Sequence, residues 1–333
     1  MLLLIEFIIC TSVIVYAGTR LSKYGDIIAE KTGLGKTWIG VILMASVTSL
    51  PELVTGISSV TYAGVPDIAV GDVIGSCVFN MSILAILDAV YRPMPVSAKA
   101  HHGNILSAGF GILLLSIVVM GLFFGNRIFS LWWIGPYSLL FAAIYFIAMR
   151  LVYFYEKKQI SLFIQDMAAE LKYKGISTKT AILNFCVNAV FVVIAAIFLP
   201  KIAEGIAEST GLGQTFVGNI FIAISTSLPE LVVCIAAVKI DAVDLAIGNL
   251  FGSNVFNIFI LAIDDFLFTK GPILSFVNQN HIISAVSAIA MTSIAVIGLT
   301  YRSEKKPLFL AWDSIGILLL YVINLMSLYM MRE

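Results

Sequence analysis

Charge is what this sequence has least of. Only 12% of its 333 residues are Asp, Glu, Lys or Arg, while 60% are hydrophobic. A soluble protein carries about twice that share of charge, so no ordinary soluble domain is present. Basic and acidic residues number 20 each. Without a basic excess there is no stripe to neutralise phosphates, which excludes a nucleic-acid partner. There are three histidines. His101 and His102 fall in a connection and read as solvated, and with no histidine or nucleophile inside a span the chain is not expected to be an enzyme. The four cysteines, Cys10, Cys77, Cys186 and Cys234, lie in apolar segments without metal-ligand spacing and read as small packing residues. The apolar amino end lacks a basic lead and a cleavage site, so it reads as a first span.

What is abundant is apolar run. Stretches of roughly 20 apolar residues recur along the chain, as in an all-α polytopic membrane protein embedded in a lipid bilayer. Ten spans are expected, at about 2–18, 37–61, 67–90, 104–125, 130–152, 181–200, 215–238, 243–267, 281–300 and 309–330. Alternate connections then hold 16 Lys and Arg on one side and four on the other. The positive-inside rule places both termini outside and the central loop in the cytoplasm. Within that loop Ile164, Met167, Ala168 and Leu171 share a helical face, which suits a short surface helix, with a solvated linker as the alternative.

The strongest signal is internal repetition. "TGLGKTWIGVILMASVTSLPE" at 32–52 and "TGLGQTFVGNIFIAISTSLPE" at 210–230 agree at 13 of 21 positions. "DIAVGDVIGSCVFN" at 67–80 and "DLAIGNLFGSNVFN" at 244–257 continue the match. The shared Thr, Ser, Pro, Glu, Gly and Asn are not membrane defaults, so the chain is a duplication. The first five-helix repeat is expected over 1–152 with its motif at about 32–90. A cytoplasmic loop covers 153–180, and the second repeat 181–333 has its motif at about 210–267. Five spans per copy is an odd number, so the copies have inverted topology. That is the plan of secondary transporters, with the site at the midplane.

The repeated residues are hard oxygen donors. Glu52 and Glu230 fall deep inside spans 2 and 7, where a charge costs roughly 2.5–3.5 kcal/mol by insertion scales. Two carboxylates facing each other near a pseudo-twofold axis repel, and a cation between them removes the repulsion. Pro51 and Pro229 cannot donate to the carbonyls of Val47 and Ser225. Freed carbonyls, hydroxyls and a carboxylate suit Ca²⁺ or Na⁺ rather than a soft metal. Ala45, Thr48 and Glu52 share one helix face, as do Ala223, Thr226 and Glu230. Asp72, Ser76 and Asn80 form a second polar stripe, matched by Asn249, Ser253 and Asn257. Gly75 and Gly252 allow a neighbour close to these helices. Asp67 and Asp244 open their helices and read as N-caps. Asp88, Asp264 and Asp265 fall near helix ends and read as solvated at the interface.

Two copies of "TSLPE", followed by "GDVIGSCVFN" and "GNLFGSNVFN", resemble the α-repeats of the sodium/calcium exchanger family, prokaryotic members of the cation/calcium antiporters. The resemblance covers the ten-span plan, and its specific motifs lie in spans 2, 3, 7 and 8. It implies an antiporter in a prokaryotic cell membrane that exchanges Na⁺ for Ca²⁺ by alternating access, commonly three Na⁺ per Ca²⁺, with spans 1 and 6 sliding over a fixed core. The transported ions are its ligands, and neither a cofactor nor a protein partner is implied. Carried over by motif position, the Ca²⁺ site is Thr48, Glu52, Thr226 and Glu230. One Na⁺ site is Ala45, Thr48, Glu52 and Ser76, and the other is Ala223, Thr226, Glu230 and Ser253. Ser49 and Ser227 line the passage, and Asn80 and Asn257 close the centre.

Three positions depart from the family pattern. Val47 and Ser225 stand where glycine is usual, which bears on how both helices unwind. Asn257 stands where potassium-dependent relatives carry aspartate. Asp72 replaces the usual asparagine, toward the outer end of its stripe, where it either attracts cations or is merely solvated. The competing functions are a Ca²⁺/H⁺ antiporter and a passive cation channel. The flanking hydroxyls and carbonyls favour Na⁺ coupling over the first, and the duplicated inverted site argues against the second.

Overall fold

The computed structural model describes residues 2–32, 46–92, 94–100, 103–127, 129–163, 176–239, 241–303, 305–306 and 309–331. Among the described residues, ten α-helices longer than two turns follow in order: α1 Leu2–Thr32, α2 Leu50–Ser58, α3 Pro66–Val90, α4 Gly103–Phe124, α5 Pro136–Phe163, α6 Thr178–Thr210, α7 Ala223–Lys239, α8 Val243–Leu267, α9 His281–Tyr301 and α10 Trp312–Met330. Among the described residues there is no strand, only an isolated bridge between Leu131 and Ile134. Among the described residues, nine segments are long and apolar enough to cross a membrane. α2, with helical residues 46–48 before it, fills the later part of the remaining span. Ala45, His101, His102, Ile164, Met167, Ala168 and Leu171 lie outside the described residues.

Three helices differ from the expected spans. α1 and α6 run on to Thr32 and Thr210 instead of stopping near 18 and 200. Past those points Leu21, Ile27, Ile202, Ala203 and Ile206 still form buried apolar stripes. An amphipathic stripe sustains a helix by packing, whether or not lipid surrounds it. α5 begins only at Pro136, because a tight turn with Trp132 at φ 62° precedes it. Proline suits the first helical position, where its missing N–H is not needed. At its far end α5 continues to Phe163, into the expected loop.

α3 and α8 are buried along nearly their whole length, so they form the centre. They cross where Cys77 and Asn254 meet: Asn254 Nδ2 donates to the Cys77 carbonyl (3.4 Å) and Cys77 Sγ to the Asn254 carbonyl (3.8 Å). These two residues hold equivalent places in the repeats, so their contact marks the pseudo-twofold axis. α2 and α7 pack on this pair, and α4, α5, α9 and α10 enclose it in one apolar core. α1 and α6 lie along each other and form a separate apolar cluster around Ile14, Ala196, Leu199 and Ala203.

Asp88 and Asp265 are not solvated; both are buried. Asp88 accepts from Val96 N (2.9 Å) and Ala311 N (2.7 Å) and pairs with Lys306 (3.0 Å). Asp265, its repeat equivalent, accepts from Ile273 N (2.6 Å), Gly135 N (2.8 Å) and Ser138 Oγ (2.6 Å). Each pins the chain that follows its own helix, eight residues on. A buried carboxylate that accepts several backbone N–H groups is satisfied without water.

Asp67 and Asp244 are not caps either, since neither α3 nor α8 has a side-chain cap. Asp67 instead accepts from Asn278 N (2.7 Å) and meets His281 Nε2 (3.1 Å), and Asp244 accepts from Asn104 Nδ2 (3.3 Å). Both sit one residue or more inside the first turn, where the side chain points outward to neighbouring elements. On the surface, Asp241 joins α3 to the α7–α8 turn, accepting from Tyr91 Oη (2.8 Å) and Lys99 Nζ (3.0 Å). The Tyr91 hydroxyl and Lys99 hold its carboxyl below the usual range.

Candidate functional site

The two "TSLPE" copies fold differently although their sequence is the same. In the first, Ser49 leaves the helix at φ −87° and ψ 16°, and α2 restarts with Pro51 in its first turn. In the second, α7 runs unbroken through Pro229, and a π-helical turn, Val217–Ile222, precedes it. The break at Ser49 frees the chain beside Pro51, whereas Pro229 is carried inside a continuous helix. Valine and serine in place of glycine therefore leave unwinding in one copy only.

Glu52 and Glu230 are fully buried, as are Thr48, Ser49, Thr226 and Ser227. The hydroxyls cross between the repeats. Ser227 Oγ donates to Glu52 Oε1 at 2.8 Å, and Ser49 Oγ donates to Glu230 Oε1 at 3.1 Å. Thr48 also lies beside Glu230. The second oxygens, Glu52 Oε2 and Glu230 Oε2, receive no hydrogen bond. No ion pair among the described residues reaches either carboxylate. A buried carboxylate oxygen left bare costs several kcal/mol, roughly, unless something positive sits beside it. Two hydroxyl-oriented carboxylates with bare oxygens, one from each repeat, suit an oxygen-seeking cation.

α3 and α8 bring the rest. Ser76, Asn80, Ser253 and Asn257 are fully buried. Ser76 lies close enough to Glu52 to bond it, and Ser253 Oγ makes no hydrogen bond. Asn80 Nδ2 donates to Asn254 Oδ1 at 3.0 Å and keeps its own oxygen free. The Ala223 carbonyl accepts from Thr226 at 3.3 Å. Of the predicted set, only Ala45 falls outside the described residues. Among those residues, no three His, Cys, Asp or Glu side chains gather closely enough to hold a metal between them. Hydroxyls, amides and carbonyls thus have to make up most of any coordination shell.

Besides Asp88 and Asp265, three buried residues stand differently from the sequence expectation. Asp72 is fully buried, not solvated at a mouth. It accepts from Thr226 Oγ1 (2.8 Å) and, more weakly, Ser76 Oγ (3.5 Å), which puts it inside the site. Its i, i+4 spacing to Ser76 carried that signal. Asp264 is also fully buried, against the expectation of an interfacial group. Asn254 was overlooked, because its repeat partner is the apolar-looking Cys77.

Close packing builds this geometry. A Cβ on Gly75 would stand 2.3 Å from the Asn219 carbonyl, and one on Gly71 3.0 Å from Gly218 Cα. The π-helical turn before α7 therefore lies directly on the glycine face of α3. Gly18 of α1 approaches Pro229 in the same way, at 2.7 Å.

Inverted helical repeats around a buried, oxygen-lined centre define a membrane antiporter for cations. The chain belongs to the sodium/calcium exchanger protein family, whose profile matches residues 2–154 and 180–330. It is 28% identical over 302 residues to the inner membrane protein YrbG of Escherichia coli, covering 88% of this chain and 87% of that protein. It is 25% identical over 338 residues to the sodium/calcium exchanger MaX1 of Methanosarcina acetivorans, covering 92% and 93%. Among solved structures, the H⁺/Ca²⁺ exchanger CAX superposes with a TM-score of 0.71 at 16% identity, covering 98% of this chain and 84% of that one. The sodium-calcium exchanger NCX_Mj superposes at 0.62 and 22% identity, covering 98% and 99%. These likenesses show the fold.

Proposed function

We propose that this protein exchanges Na⁺ for Ca²⁺ across a prokaryotic cell membrane by alternating access. Both termini lie outside and the central connection lies in the cytoplasm. The observation that carries the reading is the crossed pair, Ser227 to Glu52 and Ser49 to Glu230, with one bare oxygen left on each carboxylate. A single Ca²⁺ between the bare oxygens would join the two repeats. Thr48 and Thr226 complete its shell, and Asn80 and Asn257 close it without adding charge. Na⁺ takes the flanking positions, Ala45, Thr48, Glu52 and Ser76 on one side and Ala223, Thr226, Glu230 and Ser253 on the other. Both cargoes need the same carboxylates, so they compete, and competition for one site is what couples their fluxes.

The separate apolar cluster of α1 and α6 supports their role as the moving body. They meet the centre through apolar contact with Ile68, Val217 and Ile222 and through a few polar points: Thr11 Oγ1 donates to Ser225 Oγ (3.0 Å), Ser58 Oγ donates to the Ala196 carbonyl (3.2 Å), and Gly18 rides over Pro229. The test is ⁴⁵Ca²⁺ uptake into proteoliposomes under an outward Na⁺ gradient at fixed pH. Uptake that requires the Na⁺ gradient bears the reading out. Uptake that follows a pH gradient and ignores Na⁺ makes the protein a Ca²⁺/H⁺ antiporter, and uptake without any counter-ion makes it a channel.

A further inference from the structure

The two repeats are not chemically equal. Asp72 has Asn249 as its equivalent, and Asp264 has Leu87. α3 begins and α8 ends on the same side of the membrane, so both extra acids lie in one half of the molecule, outward of Glu52 in the proposed orientation. The inward half carries only an amide and an apolar side chain in the matching places.

Asp264 is fully buried, and neither of its carboxylate oxygens makes a hydrogen bond. It lies flat against α2 at Gly56, where an added Cβ would stand 2.5 Å from Oδ2 and 2.7 Å from Oδ1. Gly56 is one turn beyond Glu52 on the same face of α2. Beside it, the Thr55 hydroxyl is buried and also makes no hydrogen bond. Asp72 Oδ2 is bare as well, and Asp72 lies one turn outward of Ser76 on α3, as Gly56 lies one turn outward of Glu52 on α2. No ion pair among the described residues reaches Asp72 or Asp264. The ion pairs among the described residues lie elsewhere and join Asp67 to His281, Asp88 to Lys306 and Asp241 to Lys99. Two buried carboxyl groups with three bare oxygens and no counter-charge are relieved either by a proton or by a cation. The oxygens are hard donors, which suit a divalent cation such as Ca²⁺ better than a softer metal.

The geometry points to a second cation subsite between Asp264 and Asp72, one helical turn outward of Glu52, that holds Ca²⁺ on its way between the outer face and the central site. This rests on the central site proposed above, and it explains a feature that site leaves over. The central site draws on matched residues of both repeats, whereas the added pair belongs to the outward half alone and makes it a distinct station for the ion.

The experiment is calorimetric Ca²⁺ titration, with equilibrium ⁴⁵Ca²⁺ binding, on the full-length protein in lipid nanodiscs. The parent is expected to bind two Ca²⁺ per chain. Asp264→Asn keeps the shape and should weaken one binding event tenfold or more while retaining the other, which also shows that the variant is folded. Gly56→Ala keeps every charge but displaces the Asp264 carboxylate, and should weaken the same event. Glu52→Gln should remove the central event instead. A parent that binds one Ca²⁺, lost in Glu52→Gln and unchanged in Asp264→Asn, overturns the subsite and leaves the central reading standing. Loss of both events in a monodisperse Asp264→Asn protein also overturns it, because a single joint site then binds the ion. Unchanged Ca²⁺ binding in Glu52→Gln strikes the central reading itself, whatever Asp264 does.

Discussion

At the scale of single residues, the carboxylates at the centre are half satisfied by design of the repeats. One oxygen of each is oriented by a serine from the other copy, and the other oxygen is bare. Glu52→Gln or Glu230→Gln replaces a bare anionic oxygen with a neutral amide of the same shape. Removing one partner of a buried charged contact costs about 3 kcal/mol or more, roughly 100-fold in Ca²⁺ affinity. Either change should nearly abolish Na⁺-driven ⁴⁵Ca²⁺ uptake while the protein still inserts and folds. Thr48→Val removes only a neutral hydroxyl and should cost about 1 kcal/mol, a several-fold loss. Parent-like uptake by Glu230→Gln would sink the shared site. Glu52, Glu230 and their serines were legible because the motif occurs twice. Asp264 was not, since an acid three residues from a helix end reads as solvated, and only the placement of Gly56 shows what covers it.

At the scale of elements, π-helical width and glycine faces set how close helices come. Gly75 has no room for a methyl group, as the Asn219 carbonyl occupies that place. Gly75→Ala should push the turn Val217–Ile222 away from α3, lowering both the thermal midpoint of the purified protein and its Ca²⁺ affinity. Gly109 of α4 has nothing within 4 Å of the same added atom. Gly109→Ala should be neutral or slightly stabilising, because alanine is favoured over glycine inside a helix by about 1 kcal/mol. Equal midpoints for the two variants would show that this contact is not required. The glycines were visible in sequence, and the close approach was expected. Which partner Gly75 meets was not, because the π turn arises from packing and has no sequence signature of its own.

At the scale of the whole molecule, inverted topology demands that the ends of equivalent helices open on opposite faces. Arg302 bonds the Ala100 carbonyl and Lys306 bonds Asp88 and the Tyr91 carbonyl at the end of α3, while Gly125 meets Ser275 near the end of α8. In a background without the native cysteines, Lys305→Cys and Asn126→Cys should therefore react with a membrane-impermeant maleimide from opposite sides. The cysteine at 126 should label in intact cells, and that at 305 only after permeabilisation. Labelling of both from one side contradicts the inverted repeat.

The membrane class, the duplication and the central acids are legible in the chain alone, because each is written locally: apolar run length, motif identity, and a charge where lipid forbids one. Ten spans follow from run length, and inversion follows from an odd number of them. Only the tertiary structure decided what depends on contact between distant residues. That includes the crossing of each serine to the opposite glutamate, the break at Ser49 but not at Ser227, and the burial of Asp72, Asp88, Asp264 and Asp265. Burial of an acid near a helix end is set by what packs over that end. Neighbours more than a hundred residues away, such as Ala311 over Asp88 and Gly135 over Asp265, leave no trace in the local pattern.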